Sequence, residues 1–497
     1  MINRIVRVKP EFTGKEDVVV LPLHSGDKKP AGAARKLDVL CRSAISRTLG
    51  SGHFKGEPGE TLLLALHLPK APDHVLLLGL GPTRAANPER MARAGGAASR
   101  VLKKHRFTTV HLLAADALED APDERLHPFL KGFLLAQYRF FLGQTNTKAV
   151  GIKRLELMAG DGKAVSNAIR RARMVSEHNE KVRDLVNLPA NVLTPLRLAA
   201  EARTLAKDHG LTCRILGRRE LEKMKMGAVL GVAQGSNEEP RFICLHYNKG
   251  KSTRGRVCLV GKAVTFDTGG ISIKPWQHMD EMKGDMAGGA LVLSVIGAAA
   301  RMKLPLEIIA LVPAVENMPS GNAFRPGDVI TTYSGKTIEV LSTDAEGRLI
   351  LSDALAYATE FKPDLIVDFA TLTGAVVVAL GTHIAGVMGN SQSHIDRLID
   401  AGAMAGEQVW QLPLDEFFSE SVKGEISDYK NYSGRDGSTI TAAALLREFV
   451  GKTPWVHVDI AGTFWSDSGK VPYHAKGATG YGVDLALRFL QSLAERK

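Results

Sequence analysis

The sequence predicts an α/β protein in two parts: a smaller N-terminal α/β domain over residues 1–183 that ends in a linker helix, and a larger C-terminal α/β domain over residues 184–497 with a central mainly parallel or mixed sheet. Three observations carry this prediction. At 497 residues the chain exceeds one ordinary domain. Short apolar runs alternate with amphipathic stretches throughout, as when helices pack over both faces of a buried sheet. The charge also divides: residues 1–183 hold 31 Lys and Arg against 18 Asp and Glu, net +13, whereas residues 184–497 hold 33 against 35, net −2.

In the first part, VVVLPL from Val18, TLLLALHL from Thr61, VLLLGLG from Val75 and TVHLLAA from Thr109 have the length and composition of strands. Asn87 to His105 has helical spacing with a proline just inside its start. Gly162 to Arg183 predicts a basic, polar helix bridging the two parts. Beyond it, Leu196 to His209 predicts an amphipathic helix and Thr212 to Leu216 a strand. Arg241–Tyr247, Arg256–Gly261, Leu306–Asn317 and Leu365–Leu372 are further strand candidates, with helical patterns over Met286–Met302 and Arg348–Phe361.

The bulk properties narrow the function classes. With 44% apolar and 24% charged residues, the chain has the composition of a globular protein that needs no partner to fold. MINRIVRVKPEF lacks an apolar core followed by small residues, so no secretory signal is expected and cytoplasm is the expected location. Phe369 to His394 carries no Asp, Glu, Lys or Arg, yet Gly374, Gly381 and Gly386 interrupt it; a buried strand, a loop and a second buried strand are expected, and no membrane span. Cys41, Cys213, Cys244 and Cys258 show no CxxC spacing, which points to reduced, mostly buried thiols. The basic first part fits either a solvated face or a surface for nucleic acid.

Three segments hold candidate chemistry. In GKAVTFDTGGISIKP, from Gly261, a strand running into Gly269-Gly270 places Lys262 and Asp267 near the end of a sheet, where α/β proteins bind ligands. A glycine turn with a solvated lysine and a turn-capping aspartate accounts for the same residues. Asp285 stands just before a small-residue helix, as a cap or as a carboxylate aimed into a site. In LSTDAEGRL, Asp344 and Glu346 stand two apart and would face one side of an extended segment. Their mutual repulsion calls for a cation or a shared proton, with Arg348 a possible counter-charge. Together Asp267, Asp285, Asp344 and Glu346 offer oxygen ligands to a pair of hard divalent cations. There is no HExxH, GxSxG or Walker A pattern.

From about Arg183 to Leu490 the sequence resembles the cytosolic leucyl aminopeptidase family of two-metal metallopeptidases. The motifs carrying the resemblance run in order: RDLVNLPANVLTP, MGAVLGVAQGSNEEPRF, VGKAVTFDTGGISIKP, MDEMKGDMAG, STDAEGRL, ATLTGA, ITAAALL, HVDIAGT and GATGYGV. The resemblance implies that Lys262, Asp267, Asp285, Asp344 and Glu346 ligate two divalent ions per subunit, Mn²⁺ or Zn²⁺, with Asp267 and Glu346 bridging them and Lys262 binding as a neutral amine. It implies that a metal-bridging hydroxide attacks the peptide bond and that Lys274 polarises the scissile carbonyl. Arg348 would hold a bicarbonate that acts as general base. Met282, Thr371 and Gly374 would line the pocket for the first side chain of a peptide with a free N-terminus.

The N-terminal residues show no motif of their own. The resemblance implies that they form the family's smaller domain and help assemble a homo-hexamer; it also raises DNA binding as an additional role for the basic part. Ser342 stands where the family has Asn, Ala263 where it has Gly and Ala190 where it has Pro; none of these removes a proposed ligand.

Overall fold

The computed structural model describes residues 4–83, 87–114, 117–143, 151–467 and 469–495, so Ala115, the last residue of the expected TVHLLAA strand, lies outside the described residues. Two compact units emerge. The first comprises Met1–Glu180 with the short returns Met404–Gly406 and Asp467–Lys476; the second comprises Lys181–Ala403, Glu407–Ser466 and Gly477–Lys497.

The first unit is built on six strands: β1 (Arg4–Val8), β2 (Val18–Leu23), β3 (Thr61–Ala65), β4 (His74–Gly79), β5 (Thr109–Leu113) and β6 (Arg154–Met158). Their order is β1-β6-β5-β2-β4-β3, parallel except for β3. Every residue of β2 is buried because it is covered on both faces. Val18 and Val20 join a core with α3 (Pro88–Lys104), α4 (Leu126–Leu135) and the start of α5 (Lys163–Asn187), whereas Val19 and Leu21 join a second core with α1 (Gly32–Leu40) and α2 (Ala44–Gly50). Strand alternation thus turns one continuous apolar run into two cores. Asn87 caps α3 by accepting the Arg90 N–H at 2.8 Å, with Pro88 at the first helical position. β1 and β6 do not read as apolar runs, since two of the five residues in each are charged.

The second unit carries β7 (Thr212–Leu216), β8 (Arg241–Tyr247), β9 (Arg256–Gly261), β10 (Ala263–Asp267), β11 (Glu307–Asn317), a small sheet of β12 (Val329–Thr331), β13 (Thr337–Glu339) and β17 (Tyr429–Lys430), and also β14 (Leu365–Ala370), β15 (Ala385–Gly389), β16 (Val409–Gln411) and β18 (Trp455–Asp459). The main sheet has the order β16-β15-β18-β14-β9-β11-β8-β7, with β10 paired to β11. Its centre, β18-β14-β9-β11, is parallel, and β7, β8 and β15 pair antiparallel at the flanks, so the sheet is mixed. Its helices include α6 (Pro195–His209), α7 (Arg218–Lys223), α8 (Gly227–Val232), α9 (Ala287–Met302), α10 (Glu346–Thr359) and α11 (Gly374–Leu380).

One expectation changes. The stretch from Phe369 to His394 does hold two buried strands, but the segment between them is the short helix α11 rather than a loop, started by the Thr373 hydroxyl, which accepts the Val376 N–H. The run Met279–Met302 is long and apolar enough to cross a membrane by length and composition, yet 83% of that window is buried inside the protein. The four cysteines are free, with Cys41 and Cys258 buried.

Candidate functional site

The parallel centre of the second sheet delivers its polar residues to one edge. Lys262 follows the last residue of β9, Asp267 and Asn317 end β10 and β11, Thr371 follows β14, and Asp459 ends β18. Carboxyl ends of neighbouring parallel strands point the same way, so residues far apart in sequence meet there. Asp285, at the end of a 3-10 turn spanning Met279–Gly284, and Glu346, the first residue of α10, close on the same place.

Lys262, buried, directs its Nζ to three oxygens at 2.9 Å: Asp285 Oδ1, Glu346 Oε1 and the Thr371 carbonyl. A Cβ on Gly347 would lie 2.7 Å from that Nζ, so a side chain next to Glu346 would displace the Lys262 ammonium from this position. Lys274 donates to Asp267 Oδ2 at 2.8 Å and to Asp344 Oδ1. The loop bringing Lys274 back turns on Gly269 and Gly270, whose φ values of +84° and +65° favour glycine. Asp267 Oδ1 accepts from the Gly269 N–H at 2.9 Å and from Asn317 Nδ2 at 2.8 Å, and Thr371 Oγ1 donates to Asp285 Oδ1 at 2.7 Å.

The charges are unequally matched. Burial raises the pKa of Asp267, carries that of Asp285 well above the usual carboxylate range, and lifts that of Asp344 to about 6. Burial also works on Glu346, but the Lys262 and Lys274 ammoniums outweigh it and hold that carboxyl below its ordinary value. Burial pulls both lysines down, and the surrounding carboxylates more than reverse this, leaving their pKa values raised. Four carboxylates therefore share two ammoniums, and the raised values express the missing positive charge.

The donor set fits divalent cations. Asp267, Asp344 and Glu346 each offer an oxygen, all within 4.8 Å of one another. Asp285 Oδ2 is buried without a hydrogen-bond partner among the described residues. Hard oxygen donors with a buried oxygen left unpaired among the described residues suit a divalent cation. Arg348, in the first turn of α10, is buried; its Nη1 donates to the Asn431 carbonyl at 2.8 Å, and its Nε has no partner among the described residues. Burial lowers its pKa to about 10. A planar cation with an unpaired N–H suits a small oxyanion.

The structure thus brings together Lys262, Asp267, Lys274, Asp285, Asp344 and Glu346, with Thr371 beside them. Met282 sits half-buried in the 3-10 turn leading to Asp285, and Gly374 is exposed at the start of α11; neither has a polar side chain to offer the cluster. The expectation that Asp344 and Glu346 share one side of an extended segment is corrected. Asp344 lies in a turn, where its N–H reaches Ser342 Oγ at 3.3 Å, and the helix begins two residues later. Sequence reasoning missed Asn317, Thr343, Asn431 and Asp459. Asn317 and Asp459 could have been flagged as polar residues ending apolar strands; Asn431 carries no such signal.

The model of the cytosol aminopeptidase family, catalytic domain, matches residues 180–487, and that of the same family's N-terminal domain matches residues 20–142. A probable cytosol aminopeptidase of Syntrophotalea carbinolica is 42% identical over 494 residues, covering 98% of this chain and 99% of that one. One of Geobacter sp. (strain M21) is 45% identical over 468 residues, covering 91% and 93%. Among solved structures, the bottromycin maturation enzyme BotP in complex with Mn has a TM-score of 0.85 at 32% identity, covering 96% of this chain and 100% of that one. With both domain models matched in order and relatives aligned along nearly the whole length, the chain belongs to the cytosol aminopeptidase family and is an aminopeptidase.

Proposed function

We propose that this aminopeptidase is of the leucyl type and works in the cytoplasm, removing the N-terminal residue of peptides that carry a free α-amine. Lys262, Asp267, Asp285, Asp344 and Glu346 would hold two divalent ions, Mn²⁺ or Zn²⁺. The observation that carries this is four convergent carboxylates at one sheet edge with too little positive charge and a buried, unpartnered Asp285 oxygen. When bound, the ions supply a water made nucleophilic at neutral pH and polarise the scissile carbonyl.

The chain's own residues do the rest. Lys274, a cation at the rim of the cluster, donates to the oxyanion that develops on the carbonyl. Lys262, whose Nζ already faces Asp285 and Glu346, would join the ligands as a neutral amine, its proton passing to solvent when an ion is bound. Arg348 would hold bicarbonate through its unpaired Nε–H, placing a base beside the carboxylates. Met282, Thr371 and Gly374 would line the pocket for the first side chain, which we assign to leucine-like or methionine-like residues. We assign residues 1–183 to the N-terminal domain with its linker helix and 184–497 to the catalytic domain, assembled as a homo-hexamer.

Purified protein with added Mn²⁺ is expected to release the chromophore of leucine p-nitroanilide, to lose that activity on chelation, and to spare the N-acetylated substrate. Activity that survives complete chelation would refute the metal reading. A second reading, DNA binding, is favoured by the net +13 of residues 1–183. It is tested by gel shift, and the absence of any retardation of duplex DNA at low salt would eliminate it.

A further inference from the structure

We propose that Asn431 is the positioning residue of this site: one buried side-chain amide clamps the Leu341–Ala345 turn that presents Asp344, while the same residue's carbonyl orients Arg348. The inference rests on the metal-site reading above and deepens it.

Asn431 follows β17, the strand that pairs with β13, and its N–H donates to the Glu339 carbonyl at 3.0 Å. That pairing fixes its backbone next to the start of the turn. The side chain is fully buried. Its Oδ1 accepts the N–H groups of Leu341 at 2.8 Å and Ser342 at 3.3 Å, and its Nδ2 donates to the carbonyls of Ser342 at 2.6 Å and Ala345 at 3.3 Å. Both ends of one amide therefore grip both ends of one turn. The Asn431 carbonyl accepts Arg348 Nη1 at 2.8 Å, which leaves the arginine's Nε unpaired among the described residues.

Asp344 needs such a clamp more than its partners do. Glu346 is fixed as the first residue of a helix, and Asp267 at the end of a paired strand, by their own backbones. Asp344 lies in a turn, and its side chain is 36% exposed while that of Glu346 is 2% exposed. A carboxylate on an irregular segment keeps a ligating geometry only if the segment is held from outside, and outer-shell hydrogen bonds are the usual means. Asparagine suits the task because the turn offers donors on one side and acceptors on the other. Aspartate keeps the acceptor and loses the donor facing two carbonyls; alanine loses both.

The test compares Asn431→Ala, Asn431→Asp, Asp344→Asn and Asp353→Asn in the full-length protein. Mn²⁺ half-saturation of the metal-free protein is read by calorimetry, kcat and KM with leucine p-nitroanilide, and Tm without metal. Asp353 is a buried clamp two turns further along α10, away from the cluster. Both Asn431 variants are expected to need about 10-fold or more Mn²⁺ and to lose about 10–100-fold in kcat, with KM changed far less, the scale of outer-shell partners. Asp353→Asn is expected to lower Tm with Mn²⁺ half-saturation unchanged. Should Asn431→Ala fail to fold, Asn431→Asp carries the decision. Wild-type Mn²⁺ binding and kcat in a folded Asn431 variant would overturn the proposal, as would an equal loss of Mn²⁺ binding in Asp353→Asn. Unchanged Mn²⁺ binding in Asp344→Asn would instead sink the metal-site reading, and this inference with it.

Discussion

Two buried positions of α10, two turns apart, hold carboxylates that face opposite surroundings. Glu346, its first residue, meets the Lys262 ammonium at 2.9 Å, and although burial works against the charge, the two site lysines keep its pKa below the ordinary value. Asp353, two turns on and equally buried, accepts backbone N–H groups of Ala228 at 3.0 Å, Val229 at 2.9 Å and Tyr333 at 2.7 Å. Three dipoles do not offset its desolvation, and burial lifts it to about 7. Burial alone therefore does not distinguish a reactive carboxylate from a strut. What marks the first is a facing cation that a metal ion can displace; what marks the second is a set of peptide dipoles from elements it ties together, here the first turn of α8 and the segment after β12.

The comparison breaks most easily at its reactive end. Glu346→Gln keeps the shape and removes the charge, and kcat/KM for leucine p-nitroanilide is expected to fall by at least about 10²–10³-fold, the scale of a lost electrostatic contact in a transition state. Asp344→Asn should act in the same direction; unchanged rates in both would remove the site from Lys262 to Arg348 from consideration. Lys274→Met comes next, with an expected loss of about 10²-fold in kcat. Its effect on metal runs the other way. The ammonium now pairs with Asp267 and Asp344, so removing it frees two oxygens, and Mn²⁺ binding measured by calorimetry should be unweakened. Weakened Mn²⁺ binding in Lys274→Met would show that the lysine organises the ligands and does not compete for them.

Much of this was legible in the sequence, for identifiable reasons. β2, β9, β11 and β14 are buried on both faces, and such strands read as unbroken apolar runs whatever the tertiary context. Lys262, Asp267, Asp285, Asp344 and Glu346 stood out because charges interrupted small or apolar segments, and family motifs placed them in order. β1 and β6 were hidden because two of the five residues in each strand are charged. Asp344 and Glu346 converge through a turn and a helix start, which a two-residue spacing cannot distinguish from strand alternation. Asn431 was illegible: an asparagine in ISDYKNYSG looks like a surface loop residue, and only the pairing of β17 with β13 buries it against a turn about 90 residues away in sequence.

The strut end gives the smallest effect and the sharpest contrast. Asp353→Asn removes one acceptor among three buried N–H groups, and about 1–3 kcal/mol of stability is expected to go with it, read as a lower urea midpoint, while kcat/KM stays within about twofold. The pH dependence follows from the direction of the shift. A carboxyl raised from 3.8 to about 7 on folding binds its proton more tightly in the native state, so its contribution to stability is fully present below pH 4 and is lost as pH rises through 7. The amide does not titrate. The stability difference between wild type and Asp353→Asn should therefore shrink steadily from pH 4 to pH 7, with other titrating groups cancelling between the two proteins. A difference that instead grew with pH would mean that the three N–H dipoles hold Asp353 ionised, and that the two carboxylates of α10 differ less in electrostatics than in what they touch.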